Sequence, residues 1–276
     1  MLKQIENDLL RLISSGKGTY GISIYYFETE EEFVYNHDEE FYAASIIKIP
    51  IMSAVLAQVS EGKRSLSDKI RVRSEDMVSG DGILKNLTPG TEWTIHDLVV
   101  LMIIESDNTA TNLLIDILGV ENIQLYMTIW GFKQTQFRHK LQIKPSRKHN
   151  ESNLITAKEM NHFLRDIAMG NIVSMSVCRK MIEIMKQQKM NDLLPSLLPE
   201  NDGIIGMIPI WEMAHKTGYV PGVEHNVGLF YLPGHTFAIS ALSKNVPNRD
   251  EPKRIMSELG SLLFNTRELS RYINKS

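Results

Sequence analysis

Two residues in this chain have the types and spacing to do covalent chemistry together: Ser45 and Lys48, in the stretch Phe41-Tyr42-Ala43-Ala44-Ser45-Ile46-Ile47-Lys48-Ile49-Pro50-Ile51-Met52. If Ser45 opens a helix, Lys48 falls on the same face one turn later, near enough to share a proton. A hydroxyl beside a basic amine is a candidate activated nucleophile. A helix start also leaves backbone N–H groups unpaired, and these can hold an oxyanion next to Ser45. Pro50 constrains the geometry, because a proline beyond the first turn costs about 3 kcal/mol. A tight or bent first turn is therefore expected. The spacing alone carries little, since Ser14 with Lys17 and Ser60 with Lys63 repeat it in polar stretches. Read in isolation, such a pair is a serine that caps a core helix and a lysine that snorkels outward. The Ser45 copy is distinguished by its apolar setting and by further motifs downstream.

The elements that must position these residues can be read from hydrophobic periodicity. Leu2, Ile5, Leu9, Leu12 and Ile13 form one helical face, stopped by Gly16-Lys17-Gly18. Thr19 to Phe27 is β-rich and pairs with Glu32 to Asn36 across an acidic turn. From Ser45 to about Pro195 helices alternate with polar loops: Thr94 and Thr156 are predicted N-caps, Glu159 completes a capping box, and Gly119 ends a helix begun near Thr109. Met175 to Gln188 is the last helix of that block, and its methionines (Met175, Met181, Met185), with Met190, read as core filler. Strands return at Trp211–Lys216, Val227–Leu232 and Phe237–Leu242, before an amphipathic helix from Glu251 to Tyr272. Trp93 and Trp211 are expected in the core. The pattern predicts an α/β protein: an antiparallel sheet flanked by terminal helices, with an inserted all-helical domain. Residues 1–40 and 200–276 form the discontinuous sheet domain, residues 41–199 the helical one, and a site between them is expected in a cleft.

Composition excludes several classes. At 276 residues with 43% hydrophobic and 23% charged side chains and a net charge of -3, the chain has room for a sizeable core and no strongly basic face for nucleic acid. Its longest apolar run, Leu98 to Ile104, is too short to span a membrane. The single Cys178 forbids an intrachain disulfide, and the eight histidines show no metal-binding spacing, so neither metal nor cofactor is expected. The first ten residues read as a charged amphipathic helix, which predicts a cytoplasmic chain as written, or a secreted one if a signal peptide has been removed.

Two further motifs occur once each: Ser106-Asp107-Asn108 between two predicted helices, and Lys216-Thr217-Gly218 at the end of a predicted strand. Either alone could be structural, the first as a capping turn and the second as a strand end. In this order behind Ser45 and Lys48 they are the set found in class A β-lactamases and penicillin-binding proteins. Trp93-Thr94-Ile95-His96-Asp97-Leu98, the continuation Glu105 to Leu114, His215, and Val223-Glu224-His225-Asn226-Val227-Gly228 fit the same pattern. Over nearly its whole length the chain resembles a class A β-lactamase-related serine hydrolase. The resemblance implies that Ser45 attacks a carbonyl and that Lys48 accepts or relays its proton. It further implies that Ser106 passes a proton to the leaving nitrogen and Asn108 holds the substrate's amide side chain. Lys216, Thr217 and Gly218 would bind the substrate carboxylate, and the backbone N–H groups of Ser45 and Tyr219 would form the oxyanion hole. His215 is expected beside the site without a chemical part.

The chain departs from the family in one respect. The Glu-x-x-Leu-Asn loop that drives water onto the acyl-enzyme is not found, and Glu151 is the sole carboxylate between Thr135 and Thr156, in a loop rich in Arg138, His139, Lys140, Lys144, Arg147, Lys148 and His149. Glu151 is thus a weak candidate for deacylation and reads more simply as a surface residue. A free lysine has a pKa of about 10.4, so holding Lys48 neutral at pH 7 costs about 4.6 kcal/mol, which burial and the charge of Lys216 would offset. A missing general base costs about 10² to 10⁴ in rate. The expectation is efficient acylation of Ser45 by a small β-lactam with slow turnover. The alternatives are an esterase or amidase using the same residues on another acyl compound, and a penicillin-binding acyl acceptor.

Overall fold

The computed structural model describes residues 1–141, 151–201, 203 and 206–273, with side chains described up to Thr266. The chain opens with helix α1 (Leu2–Ser14), then strands β1 (Thr19–Tyr26), β2 (Glu31–Tyr35) and β3 (Glu40–Tyr42). A 3-10 turn at Ala44–Ile47 leads into α2 (Lys48–Ser60), followed by the short strands β4 (Lys69–Arg71) and β5 (Glu92–Thr94). Three helices come next, α3 (Ile95–Ile104), α4 (Asn108–Leu118) and α5 (Val120–Ile129). Strand β6 (Leu154–Thr156) precedes α6 (Ala157–Met169) and α7 (Met175–Met185). The strands β7 (Glu212–Val220), β8 (Val223–Leu232) and β9 (His235–Lys244) and the helix α8 (Asp250–Ile273) complete the order.

The chain divides into two compact units. One comprises Met1–Phe41, Thr156–Leu164 and Met190–Ser276; the other comprises Tyr42–Ile155 and Arg165–Lys189. The division expected near residue 200 falls instead at 189/190, and Thr156–Leu164, expected in the helical block, belongs to the sheet unit. The reason is a buried polar contact that periodicity cannot register. Asn161, on α6, donates from Nδ2 to the carbonyls of Ser23 (2.9 Å) and Ala238 (2.8 Å), which ties that helix segment to β1 and β9.

In the first unit the sheet order is β2-β1-β9-β8-β7, all antiparallel. β1 pairs with β9 from Thr19 opposite Lys244 to Tyr26 opposite Phe237, so strands over 200 positions apart in sequence are neighbours. Its side chains Tyr20, Ile22, Ile24 and Tyr26 alternate onto one face. There they join Leu2, Ile5 and Leu9 of α1 and Ile255, Met256, Leu259 and Leu263 of α8 in one apolar cluster. Trp211 is half-buried against that cluster.

In the second unit α2 is buried along nearly its whole length, from Lys48 to Gln58. It packs on α4, α5 and α7. Met181 and Met185 are buried there as expected, but Met175, at the start of α7, is exposed, because the first turn of that helix faces solvent. The segment after Gly62 contains the β4–β5 ladder, Lys69 opposite Thr94 to Arg71 opposite Glu92. Trp93 is only half-buried on β5. Thr94 caps α3, its hydroxyl accepting from the Asp97 N–H at 3.1 Å, and Thr156 accepts from the Glu159 N–H at 3.2 Å. Among the described residues no helix is long and apolar enough to cross a membrane.

Candidate active site

Ser45 and Ile46 lie inside the 3-10 turn, and the α-helix proper begins at Lys48. This resolves the conflict set by Pro50. With Lys48 as the first helical residue, Pro50 stands in the first turn, whose N–H groups have no partner within the helix. The tight turn also sets the spacing of Ser45 and Lys48. Ala44, immediately before the serine, has φ +44°, a left-handed conformation in which a residue with a Cβ is strained. The Ala43 N–H is tied to the Asn153 carbonyl at 2.9 Å, one of the contacts holding the strained segment. Ser45 retains 8% exposure, while Lys48 is fully buried.

A buried amine requires partners. The Lys48 Nζ lies 2.6 Å from the Ser106 carbonyl, 3.0 Å from Ser106 Oγ and 2.9 Å from Asn108 Oδ1. Two of the sequence-selected motifs are thus brought onto one nitrogen. Ser106 reaches it because its own φ is +54°, which turns both its carbonyl and its hydroxyl toward Lys48 between α3 and α4. Asp107, between the two contact residues, performs the capping that sequence alone could have assigned to the whole motif. Its Oδ1 accepts from the Ala110 N–H at 2.9 Å, and its Oδ2 accepts from the N–H groups of Ile83 (2.7 Å) and Leu84 (2.8 Å). Gly82 has to be a glycine here: its φ is +105°, and a Cβ would lie 2.3 Å from the Asp107 carboxyl carbon. The other end of the Asn108 amide points at the Ser79 carbonyl, at 3.4 Å.

Lys216, Thr217 and Gly218 lie on β7, the outermost strand of the sheet in the other unit. Lys216 is fully buried and its Nζ donates to the Thr217 carbonyl at 2.9 Å, while the Thr217 hydroxyl lies 3.2 Å from the sulfur of Met190. Met190 is therefore a neighbour of this motif and not part of the α7 core. Behind it, His215 is enclosed by amides: Asn226 Nδ2 donates to its Nδ1 at 2.9 Å, and its Nε2 donates to Asn191 Oδ1 at 3.0 Å. Burial and then the nearby charge of Lys216 hold its pKa down to about 3, so the ring is neutral at physiological pH. Tyr219 comes next along the strand, with its ring partly exposed.

Glu151 is exposed in a short turn just before Ser152 and Asn153, both buried. Asn153 is the organising residue of that loop, its Oδ1 accepting from the N–H groups of Arg138 (2.8 Å) and His139 (3.2 Å) and its Nδ2 donating to the His139 carbonyl (3.0 Å). The basic residues Lys144, Arg147, Lys148 and His149 lie outside the described residues. Sequence reasoning misses Asp107 and Asn153 as organisers of the backbone around the site. The one available signal is a polar side chain within or beside a motif, which does not say whether it serves chemistry or the backbone.

Known proteins share this architecture. A β-lactamase VEB-1 of Pseudomonas aeruginosa is 23% identical over 99% of this chain and 90% of its own length. The crystal structure of a β-lactamase from Sphaerobacter thermophilus superposes with a TM-score of 0.87 at 28% identity, covering 96% of this chain and 98% of that one. A protein described as PBP-A shares the fold with a TM-score of 0.84 at 24% identity, over 97% of each chain. The model of the β-lactamase enzyme family matches residues 4–266, nearly the full length, and the chain belongs to that family.

Proposed function

We propose that the protein is a serine hydrolase that opens β-lactam amides through an acyl-enzyme on Ser45. The observation that carries this reading is the placement of the buried Lys48 Nζ 3.0 Å from Ser106 Oγ, one short turn after Ser45. Ser45 Oγ attacks the lactam carbonyl and its proton passes to Lys48. Ser106 Oγ, hydrogen-bonded to that amine, delivers a proton to the nitrogen as the C–N bond breaks. The Ser45 and Tyr219 N–H groups hold the oxyanion, a contribution of about 10² to 10³ in rate for each donor. Lys216 and Thr217, with Gly218 beside them, receive the substrate carboxylate as a charge-assisted pair, and Asn108 holds the amide side chain.

Release of the acyl group is the slower step in this reading. Glu151, the one carboxylate of its loop in sequence, is exposed to solvent, a poor setting for a base that must hold one water against an ester. The same observation favours the second reading, a penicillin-binding acyl acceptor. A mutant of PBP-A has been solved as an acyl-enzyme complex with penicillin G, which documents such an adduct on this fold in that protein.

Intact-protein mass over time after addition of penicillin G tests both readings. The expected result is a stoichiometric adduct that forms within minutes, decays slowly and is absent in Ser45→Ala. Rapid clearance with multiple turnover would overturn slow deacylation. No adduct, with Ser45-dependent cleavage of a short-chain ester, would replace the β-lactam by another acyl substrate.

A further inference from the structure

The end of β7 carries an arrangement that the acylation chemistry does not itself require. Tyr219 and Glu224 are cross-strand partners in the β7–β8 hairpin, one pair before the closing pair Val220 and Val223, with Pro221-Gly222 as the two-residue turn. Glu224 is buried, at 2% exposure, and both its carboxylate oxygens accept from Arg249, from Nε and from Nη2, each at 2.8 Å. The same guanidinium lies 4.0 Å from the centre of the Tyr219 ring. The backbone of Glu224 is fixed in turn by Ser243, whose hydroxyl accepts from its N–H (3.2 Å) and donates to its carbonyl (2.7 Å). A planar cation is thus held between a fixed carboxylate and an aromatic face, the geometry for which arginine is suited and lysine is not.

The strand register sets which backbone groups this holds. The pair closing a two-residue hairpin is hydrogen-bonded, and bonded pairs then alternate along an antiparallel ladder. Val220, Gly218 and Lys216 therefore pair with β8, while Tyr219 and Thr217 turn their N–H and carbonyl groups toward the open side of β7. Among the described residues β7 is the sheet's outermost strand, so no further described strand holds the Tyr219 peptide in place.

We propose that Arg249, bridging Glu224 and the ring of Tyr219, is a positioning residue that fixes the outward Tyr219 N–H as an oxyanion donor. This rests on the acyl-enzyme reading above. Loosening the stack leaves the donor present but misaimed, so the loss falls on the acylation rate constant more than on substrate affinity. Because the residues act as a unit, removing either side of the stack has the same effect, and removing both adds little.

The test is the pre-steady-state acylation of Ser45 by penicillin G, monitored by quenched mass measurement over a range of concentrations, in wild type, Arg249→Gln, Arg249→Lys, Tyr219→Ala and the double variant Tyr219→Ala/Arg249→Gln. Tyr219→Ala keeps the backbone donor and changes a partly exposed side chain, so it remains interpretable if Arg249→Gln fails to fold. The expected result is an acylation rate constant about tenfold lower in Tyr219→Ala and in Arg249→Gln, with half-saturation changed less than twofold. The double variant should be no slower than the worse single one, and Arg249→Lys should not restore the rate. Unchanged acylation in Tyr219→Ala, additive losses in the double variant, or full rescue by lysine would overturn the positioning role. If wild type itself is never acylated, the acyl-enzyme reading falls first, and the proposal falls with it.

Discussion

Asp107 governs whether Ser106 and Asn108 can meet Lys48. Its carboxylate accepts three backbone N–H groups, capping α4 and anchoring residues 83 and 84, and it is 1% exposed. Losing a cap costs about 1 kcal/mol, and each buried donor left unsatisfied about 1–3 kcal/mol more. Asp107→Ala is therefore expected to lower unfolding free energy by about 3 kcal/mol in urea titration and to slow Ser45 acylation. Asp107→Asn keeps one acceptor oxygen and should lose less. His215 makes a second prediction, this time of pH dependence. Its pKa is about 3 in the fold against 6.5 unperturbed, so below pH 6.5 the unfolded chain binds the extra proton and the folded one does not. Stability from this residue is complete above pH 6.5 and falls by about 1.4 kcal/mol per pH unit as pH drops toward 3. His215→Gln should flatten that slope in urea midpoints compared between pH 7 and pH 4.5; a slope equal to wild type would show that the neutral ring is not the cause. At this scale the types and order of the chemical residues are legible, since Ser45, Lys48, Ser106 and Asn108 carry their chemistry in their identity. Backbone strain at Ala44 and Ser106 is not, because nothing in an alanine or a serine announces a positive φ.

Elements are positioned by a few close approaches. The start of α2 depends on where the 3-10 turn stops, and Pro50 marks that point because it is tolerated only in the first helical turn. The conflict between proline and helix is visible in sequence; the register that resolves it is not, since either a bend or a tight turn satisfies the pattern. Periodicity finds the strands after Trp211 but draws them too short, because polar positions such as Thr217, His225 and Asn226 interrupt the alternation while remaining in the ladder. In sequence Gly228 is only one letter of a family pattern. It lies opposite His215, where a Cβ would stand 2.4 Å from the His215 Cβ and 2.6 Å from the Ala214 carbonyl oxygen. Gly228→Ala must therefore push β8 away from β7. A loss of about 2–3 kcal/mol, typical of overpacking, and slower acylation by penicillin G are expected; a variant matching wild type in both thermal midpoint and acylation would refute the tight approach.

For the whole molecule, the decisive feature is that the sheet is completed by segments from the two ends of the sequence. β9 lies between β1 and β8, so it joins the β2–β1 hairpin to the β8–β7 hairpin. The alternation of strand-rich ends and helical middle makes this topology readable, but the assignment of Thr156–Leu164 to the sheet unit needs the Asn161 contacts. Two-stranded hairpins are marginal alone in water, and β1 also loses its contacts with α8 through the shared apolar cluster if the chain is cut before β9. Pairing across more than 200 residues further means that β1 cannot be secured until the last strands exist. A chain ending at Leu232 should therefore show rapid amide exchange throughout β1, where the full chain is protected, and should lose acylation at Ser45 even though Ser45, Lys48 and Ser106 are all retained. Adding residues 233–276 as a separate peptide should restore part of the protection in β1. Protected β1 amides in the truncated chain alone would mean that β2 and α1 suffice to hold the strand, and that β9 is an addition to the sheet and not its link.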